Sequence, residues 1–193
     1  MIDSKVNSIL FAGVGGQGIL RASDILCMAL METGFDVKKS EVHGMAQRGG
    51  CVTSHVRFGA NVYSPLAAAG SIETLLSFEK MEALRYLEFL RTDASIILNT
   101  EEIYPPAVNI GETAYPLDVI NFLKNHYGKV IAFNAAEMAQ KAGSVKAANV
   151  VLLGALSNFL NVEKSVWESV ITKSFPKKLV KLNLDAFQMG IAA

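Results

Sequence analysis

The sequence predicts an α/β domain: three layers, Rossmann-like, with a mostly parallel mixed sheet and a helical C-terminus. Three observations lead there. Short apolar runs alternate with segments of helical periodicity along the chain, the pattern of helices packed on both faces of a parallel sheet. A glycine-rich turn, Gly13-Val14-Gly15-Gly16-Gln17-Gly18, joins the first strand to the first helix. Residues 42–58 contain two strands with no helix between them, which makes the sheet mixed. The chain has 193 residues, and a domain of that size buries about 70% of its unfolded surface. One domain over residues 1–193 is therefore expected, without repeats or linkers.

Each element has its own signal. Residues 6–12 form a short apolar strand, interrupted by Asn7 and Ser8. After the glycine turn, Ile25, Leu26, Ala29 and Leu30 repeat at helical spacing, and Gly34 stops the helix. Residues 35–42 are a second strand. Residues 51–58 alternate, with Val52, Ser54, Val56 and Phe58 on one side and Cys51, Thr53, His55 and Arg57 on the other. That pattern is a strand with one wet or occupied face. Residues 71–78 read as a buried strand, 80–90 as a helix and 94–98 as a strand. Tyr104-Pro105-Pro106 forces an extended loop, because proline disfavours helix before it. Further helices are expected over 117–126, 135–141 and 145–160, with a strand at 130–133. The remainder is helical with a break at Pro176.

Composition excludes several functions. Lys plus Arg equals Asp plus Glu, giving zero net charge, so no basic surface for nucleic acid is expected. A neutral chain with 51% hydrophobic residues lacks the repulsion that keeps proteins apart, which favours a permanent partner. The longest apolar run, residues 147–160, is broken by Asn149, Ser157 and Asn158 and falls short of the ~20 residues of a membrane span. The first residues show no signal pattern, and the expected location is the cytoplasm. Two cysteines, Cys27 and Cys51, cannot ligate an iron–sulfur cluster, which takes four protein ligands.

The glycine turn places Gly13, Gly15 and Gly18 in a G-x-G-x-x-G pattern, with Gly16 and Gln17 inside it. Missing side chains allow a tight turn and close approach of a ligand, and the helix start offers N–H groups to an anion. A dinucleotide site also wants an acidic residue about 20 positions on, and Glu41 lies near that place. The competing reading is a tight turn with no ligand. Residues 43–50 set His43, Gln47 and Arg48 among small residues directly after a strand. Such loops place polar groups at the carboxyl edge of a parallel sheet, where ligands bind; alternatively this is a surface turn with Arg48 solvated. His55 and Arg57 either receive an anion or pair with carboxylates under a helix. Cys51 is a nucleophile only if a base lowers its pKa, and Cys27 is core packing. Lys173, Lys177, Lys178 and Lys181 form a solvated helix face or part of a partner contact, and Trp167 packs a helix onto the body.

Three separated segments resemble a known family: residues 11–19 around the glycine turn, residues 40–50 from Ser40 through His43 to Gly50, and residues 54–59 with His55 and Arg57. They resemble the gamma-type domain of 2-oxoacid:ferredoxin oxidoreductases, most of all its indolepyruvate branch, and residues 146–156 extend the likeness. The resemblance implies a complex that decarboxylates a 2-oxoacid on thiamine diphosphate, passes electrons through iron–sulfur clusters to ferredoxin and releases an acyl-CoA. It implies that a large alpha subunit holds the thiamine diphosphate and the clusters, and that this chain holds no cofactor alone. Coenzyme A enters as co-substrate; the N–H groups of Gly13 to Gly18 meet one of its phosphates or else face the partner's active-site cleft, and His43, Gln47 and Arg48 line that same cleft. Pyruvate, 2-oxoisovalerate and 2-oxoglutarate relatives share the glycine turn. Two other readings stay open: a free-standing NAD-binding oxidoreductase with Glu41 on a ribose, and an assembly module whose glycine turn is purely structural.

Overall fold

A computed structural model describes residues 5–44 and 50–193. In chain order it contains β1 (Asn7–Val14), α1 (Ile19–Glu32), β2 (Asp36–His43), β3 (Cys51–Gly59), β4 (Ile72–Ser77), α2 (Lys80–Arg85), β5 (Leu90–Asn99), α3 (Pro106–Asn109), α4 (Val119–His126), β6 (Lys129–Phe133), α5 (Ala135–Ala142), α6 (Ala148–Ser157), α7 (Lys164–Ser174) and α8 (Lys177–Ile191). The strands form one sheet in the order β2-β3-β1-β4-β5-β6. Pairs β1–β4, β4–β5 and β5–β6 are parallel, whereas β3 runs antiparallel to both β1 and β2. The mixed sheet expected from residues 42–58 is therefore present, and β3 stands between β1 and β2.

Alternate residues of β1 feed two cores. Ile9 and Phe11 pack with Ile25, Leu26, Leu153 and Trp167 on the face covered by α1, α6, α7 and α8. Leu10 and Ala12 pack with Leu75, Ile96, Leu98 and Leu123 on the face covered by α2 and α4. A strand buried on both faces reads as a continuous apolar run, which is why β1, β4 and β5 were legible. Strand β2 lies at the sheet edge and carries Lys38, Lys39 and Glu41; such charges protect an edge from pairing with other chains. Lys39 Nζ lies 2.6 Å from Asp24 Oδ1 and 2.5 Å from Glu41 Oε1.

Some boundaries differ from expectation. The helix read over 80–90 ends at Arg85; a single 3-10 turn, Leu87–Phe89, follows, and Leu90 already belongs to β5. The extended loop at 104–106 is shorter than its prolines suggest, because Pro106 opens α3. A proline fits the first helical position, where its missing N–H is no loss. The helix read over 145–160 is a 3-10 turn (Val145–Ala147) followed by α6.

Helix α6 is buried from Asn149 to Leu156, as a helix that is apolar all round should be. It lies directly against α8. A Cβ on Gly154 would strike the backbone of Phe187, and one on Gly190 the backbone of Val151. Backbone cannot move aside as a side chain can, so these glycines set the distance between the two helices.

The second face of β3 is occupied rather than wet. The His55 ring, 7% exposed, meets the Phe89 ring edge-on at 5.9 Å between centroids. Arg57 Nε donates to Ser8 Oγ at 3.2 Å, and its terminal nitrogen donates to the carbonyls of Ser64 (2.9 Å) and Leu66 (3.2 Å). Arg57 fixes the segment between β3 and β4, and His55 packs against the turn that leads into β5. Burial holds the His55 pKa below its ordinary 6.5.

Two stability measurements follow from this packing. Gly154→Ala and Gly190→Ala should each cost about 1–3 kcal/mol by overpacking, lowering Tm by about 2–4 °C per kcal/mol for a domain of this size; an unchanged Tm would mean the helices are not in backbone contact. For His55, the unfolded chain gains its proton at a higher pH than the folded one. Stability is then complete above pH 6.5 and falls as the pH drops below it. His55→Phe should flatten that loss as the pH drops below 6.5, measured as the difference in Tm between variant and parent across the range.

Candidate functional site: a cavity at the carboxyl edge of the sheet

Strand β1 leads through α1 to one side of the sheet, and β4 leads through α2 to the other. The carboxyl ends of β1 and β4 are thus the point where the winding reverses, the place where open α/β sheets bind ligands. A cavity of about 540 Å³ opens there, lined by Gly15 to Gly18, Phe78, Asn99, Glu101 and Lys146 among others.

Local chemistry shapes the glycine turn. Gly16 (φ +100°) and Gly18 (φ +77°) occupy the left-handed region, which L side chains adopt only at a cost. Gly18 is also the N-cap of α1, so the unpaired N–H groups of the first helical turn and the positive end of the helix dipole lie at the cavity. A Cβ on Gly18 would come within 2.6 Å of Asn149 Nδ2; that amide donates to the Gly18 carbonyl at 3.2 Å and ties α6 to the turn. Gly13 does something else. It lies inside β1 opposite Val52, where a Cβ would sit 2.6 Å from Gln17 Oε1 and 2.7 Å from Phe78 Cβ. Its bare Cα makes room for the Gln17 side chain.

Gln17 uses that room to join three strand ends. Its Oε1 accepts from the Val14 N–H at 2.8 Å, and its Nε2 donates to the Phe78 carbonyl at 2.8 Å and to Glu101 Oε2 at 3.0 Å. Asn99, 1% exposed, repeats the pattern from β5. Its Nδ2 donates to the Phe78 carbonyl (3.0 Å) and Glu101 Oε2 (3.2 Å), and its Oδ1 accepts from Ala135 N–H (3.0 Å). The Glu101 carboxylate is thus held by two amides at the cavity wall. Lys146, exposed, supplies positive charge to the same cavity.

Of the residues picked out in the sequence, Gly15, Gly16, Gln17 and Gly18 line this cavity. Glu41 and His43 do not. They stand on β2, with β3 between them and β1, about 10 Å away at two strand spacings. The Glu41 carboxyl is held below its ordinary range by Lys39, with His43 Nε2 a further 3.4 Å contact. Gln47 and Arg48 lie outside the described residues. Of the flanking residues, Gly50 accepts through its carbonyl from the Gly15 N–H at 3.0 Å, and the Gly44 N–H donates to the Cys51 carbonyl at 2.7 Å. Cys51 lines a neighbouring cavity of about 310 Å³ with Glu79, Glu82, Arg85 and Tyr104.

Sequence reasoning missed Asn99, Glu101, Lys146 and Asn149. Their signal was available: Asn99-Thr100-Glu101 follows the apolar run of β5 at a strand's carboxyl end. Two positions of the turn, Gly18 and Gly15, separate conformational from local roles. Gly18→Ala should cost about 1–3 kcal/mol for its backbone conformation and displace Asn149. The nearest atom to a Cβ on Gly15 is 3.7 Å away, so Gly15→Ala should change stability by no more than about 0.5 kcal/mol. Chemical denaturation of the two variants checks the contrast, and equal losses would sink it.

Comparison with known proteins agrees with this architecture. Residues 8–193 match the family model described as pyruvate ferredoxin/flavodoxin oxidoreductase. The indolepyruvate oxidoreductase subunit IorB of Archaeoglobus fulgidus is 44% identical over 187 residues, 95% of this chain and 92% of its own. The gamma subunit of a keto/oxoacid ferredoxin oxidoreductase from Geobacter sulfurreducens superposes with a TM-score of 0.72 at 26% identity, covering 97% of this chain and 99% of its own. The 2-oxoglutarate:ferredoxin oxidoreductase of Magnetococcus marinus, solved with 2-oxoglutarate, coenzyme A and succinyl-CoA bound, shares the fold (TM-score 0.73, 22% identity), covering 98% of this chain and 31% of its own. The chain belongs to the pyruvate ferredoxin/flavodoxin oxidoreductase family, as a small subunit of the IorB type, and is part of an oxidoreductase.

Proposed function

We propose that this chain is the small subunit of an indolepyruvate:ferredoxin oxidoreductase and that its glycine-turn cavity receives the phosphate-bearing end of coenzyme A. The full-length 44% identity to an indolepyruvate oxidoreductase subunit carries the reading. In the overall reaction the bond between the carboxylate and the oxo carbon of an aryl pyruvate breaks and CO₂ leaves. The acyl carbon forms a bond to the sulfur of coenzyme A as the thiol S–H bond breaks and its proton is released, and two electrons pass to ferredoxin.

This chain's residues do not fit the redox part of that chemistry. An iron–sulfur cluster needs four thiolates or equivalent ligands, and the chain has two cysteines. Burial pushes the Cys27 thiol up to about 12, so it stays protonated at neutral pH and is no ligand. Among the described residues no group of three or more His, Cys, Asp or Glu is placed to hold a metal ion, and no helix is long and apolar enough to cross a membrane. Thiamine diphosphate and the clusters therefore belong, in this reading, to a large alpha subunit. The small subunit contributes a preformed polar cavity: left-handed glycines that let a phosphate approach backbone N–H groups, a helix dipole pointing at it, and Lys146 at the rim.

Co-expression with a candidate large subunit tests the reading. Viologen reduction by indolepyruvate should require both chains and coenzyme A, and should exceed that with pyruvate or 2-oxoglutarate. Turnover of an oxoacid by this chain alone with a nicotinamide cofactor would overturn it, as would full activity of the large subunit without it.

A further inference from the structure

The second cavity, of about 310 Å³, is lined by Met81, Glu82 and Arg85 of α2 and by Ile103, Tyr104 and Pro106 of the strap that joins β5 to α4. One buried carboxylate holds that strap. Glu79 accepts from the Ile103 N–H at 3.2 Å, from the Tyr115 hydroxyl, and from the Glu82 N–H at 2.9 Å. Between those ties the backbone hydrogen bonds of residues 105–113 stay within the segment, and the space beside α2 is left unfilled. Glu79 thus has three donors; Glu82 does not. The Glu82 side chain is 6% exposed, and Arg85 Nε donates to its Oε1 at 2.8 Å. Its Oε2 is closed to solvent and has no hydrogen-bond partner among the described residues. A buried carboxylate oxygen without a donor is costly, and burial pushes the Glu82 pKa up in spite of Arg85.

The charged residues that line this cavity are Glu79, Glu82 and Arg85, two carboxylates against one guanidinium, so it favours a cation over an anion. The strap repeats that sign on its outside. Residues 101–118 include Glu101, Glu102, Glu112 and Asp118 and no Lys, Arg or His, and they expose Tyr104, Ile110 and Leu117. We infer that the cavity is a socket for a lysine or arginine side chain of the large subunit, with its stem against Met81, Ile103, Tyr104 and Pro106 and its charged head donating to Glu82 Oε2. Long basic side chains bury their methylene stems in this way while the head finds a polar partner. The inference rests on the reading that this chain works with a large subunit, and it adds where that subunit docks and which chemistry it presents. The strap is then a recognition element: its acids and exposed apolar side chains meet a surface of opposite charge, and Glu79 keeps it in shape for that contact.

The test measures the dissociation constant of the co-expressed complex by sedimentation over a dilution series, beside the Tm of this chain alone. Glu82→Gln keeps the shape of the side chain and removes its charge. The Kd should rise about tenfold or more, the worth of a hydrogen bond to a charged group, while the Tm of the isolated chain holds or rises because an incompletely paired buried charge is gone. A Tm that falls together with assembly would mean that Glu82 serves only the fold, and would overturn the inference. Hydrogen exchange of the parent chain, with and without the large subunit, is independent of any variant: amides of residues 103–118 should slow on assembly, and unchanged exchange there overturns the socket. Arg85→Gln identifies the sign of the occupant. If it weakens assembly and Glu82→Gln does not, an anion sits there and the inference fails; it fails too if Glu82→Gln abolishes self-association of this chain and leaves the complex intact. A parent chain that forms no complex with the large subunit takes the two-chain reading down as well, whereas an intact complex indifferent to Glu82→Gln removes the socket alone.

Discussion

The site depends on one side-chain amide. Gln17 carries the one polar side chain of the glycine turn, and it spends its donors and its acceptor on strand ends: its oxygen on β1, through the Val14 N–H, and its nitrogen on β4 and β5, through the Phe78 carbonyl and Glu101. Parallel strands end in unpaired backbone groups that must be satisfied where the chain leaves the sheet. A side chain that bridges three such ends fixes the shape of the opening between them. Gly13 follows from this, because any Cβ there would occupy the space of the Gln17 oxygen. The glycine pattern therefore serves two demands, a bare Cα under Gln17 and left-handed backbone at Gly16 and Gly18.

A second constraint comes from the far side of the turn. Asn149 donates to the Gly18 carbonyl from the first turn of α6, and α6 is in turn pressed against α8 through Gly154 and Gly190. The C-terminal helices, remote in sequence from the glycine turn, thus set the position of the wall that carries Lys146 and Asn149. The cavity is built from both ends of the chain.

Much of this was readable in advance, for physical reasons that also explain what was not. Strands β1, β4 and β5 are buried on both faces and announce themselves as apolar runs; Gly34, Gly143 and Pro176 mark helix ends because each has a conformation or a missing donor that stops a helix. The glycine turn was visible as a pattern, but its partners were not. Glu101 and Asn99 lie 84 and 82 positions from Gln17, and only the strand order brings them together. The expectation for Glu41 went astray for the same reason: it assumed that the second strand in sequence is the neighbour of the first, and the β2–β3 pair inserts β3 between them. His55 and Arg57 alternate correctly, yet alternation cannot tell a face bathed in solvent from one covered by the segment that follows the strand.

That inserted strand also bears on how the chain works with a partner. By separating β2 from β1 it carries Val42, 53% exposed, and His43 out to the rim, and it holds both ends of the 44–50 connection against the glycine turn through Gly50 and Cys51. A ligand in the cavity and a protein on the rim would then share one backbone hydrogen bond, Gly15 to Gly50, as their common boundary. A free-standing nucleotide enzyme would need its own substrate-holding residues on that rim. A subunit needs only to present an edge that another chain completes, and the zero net charge of this chain leaves little repulsion to oppose that.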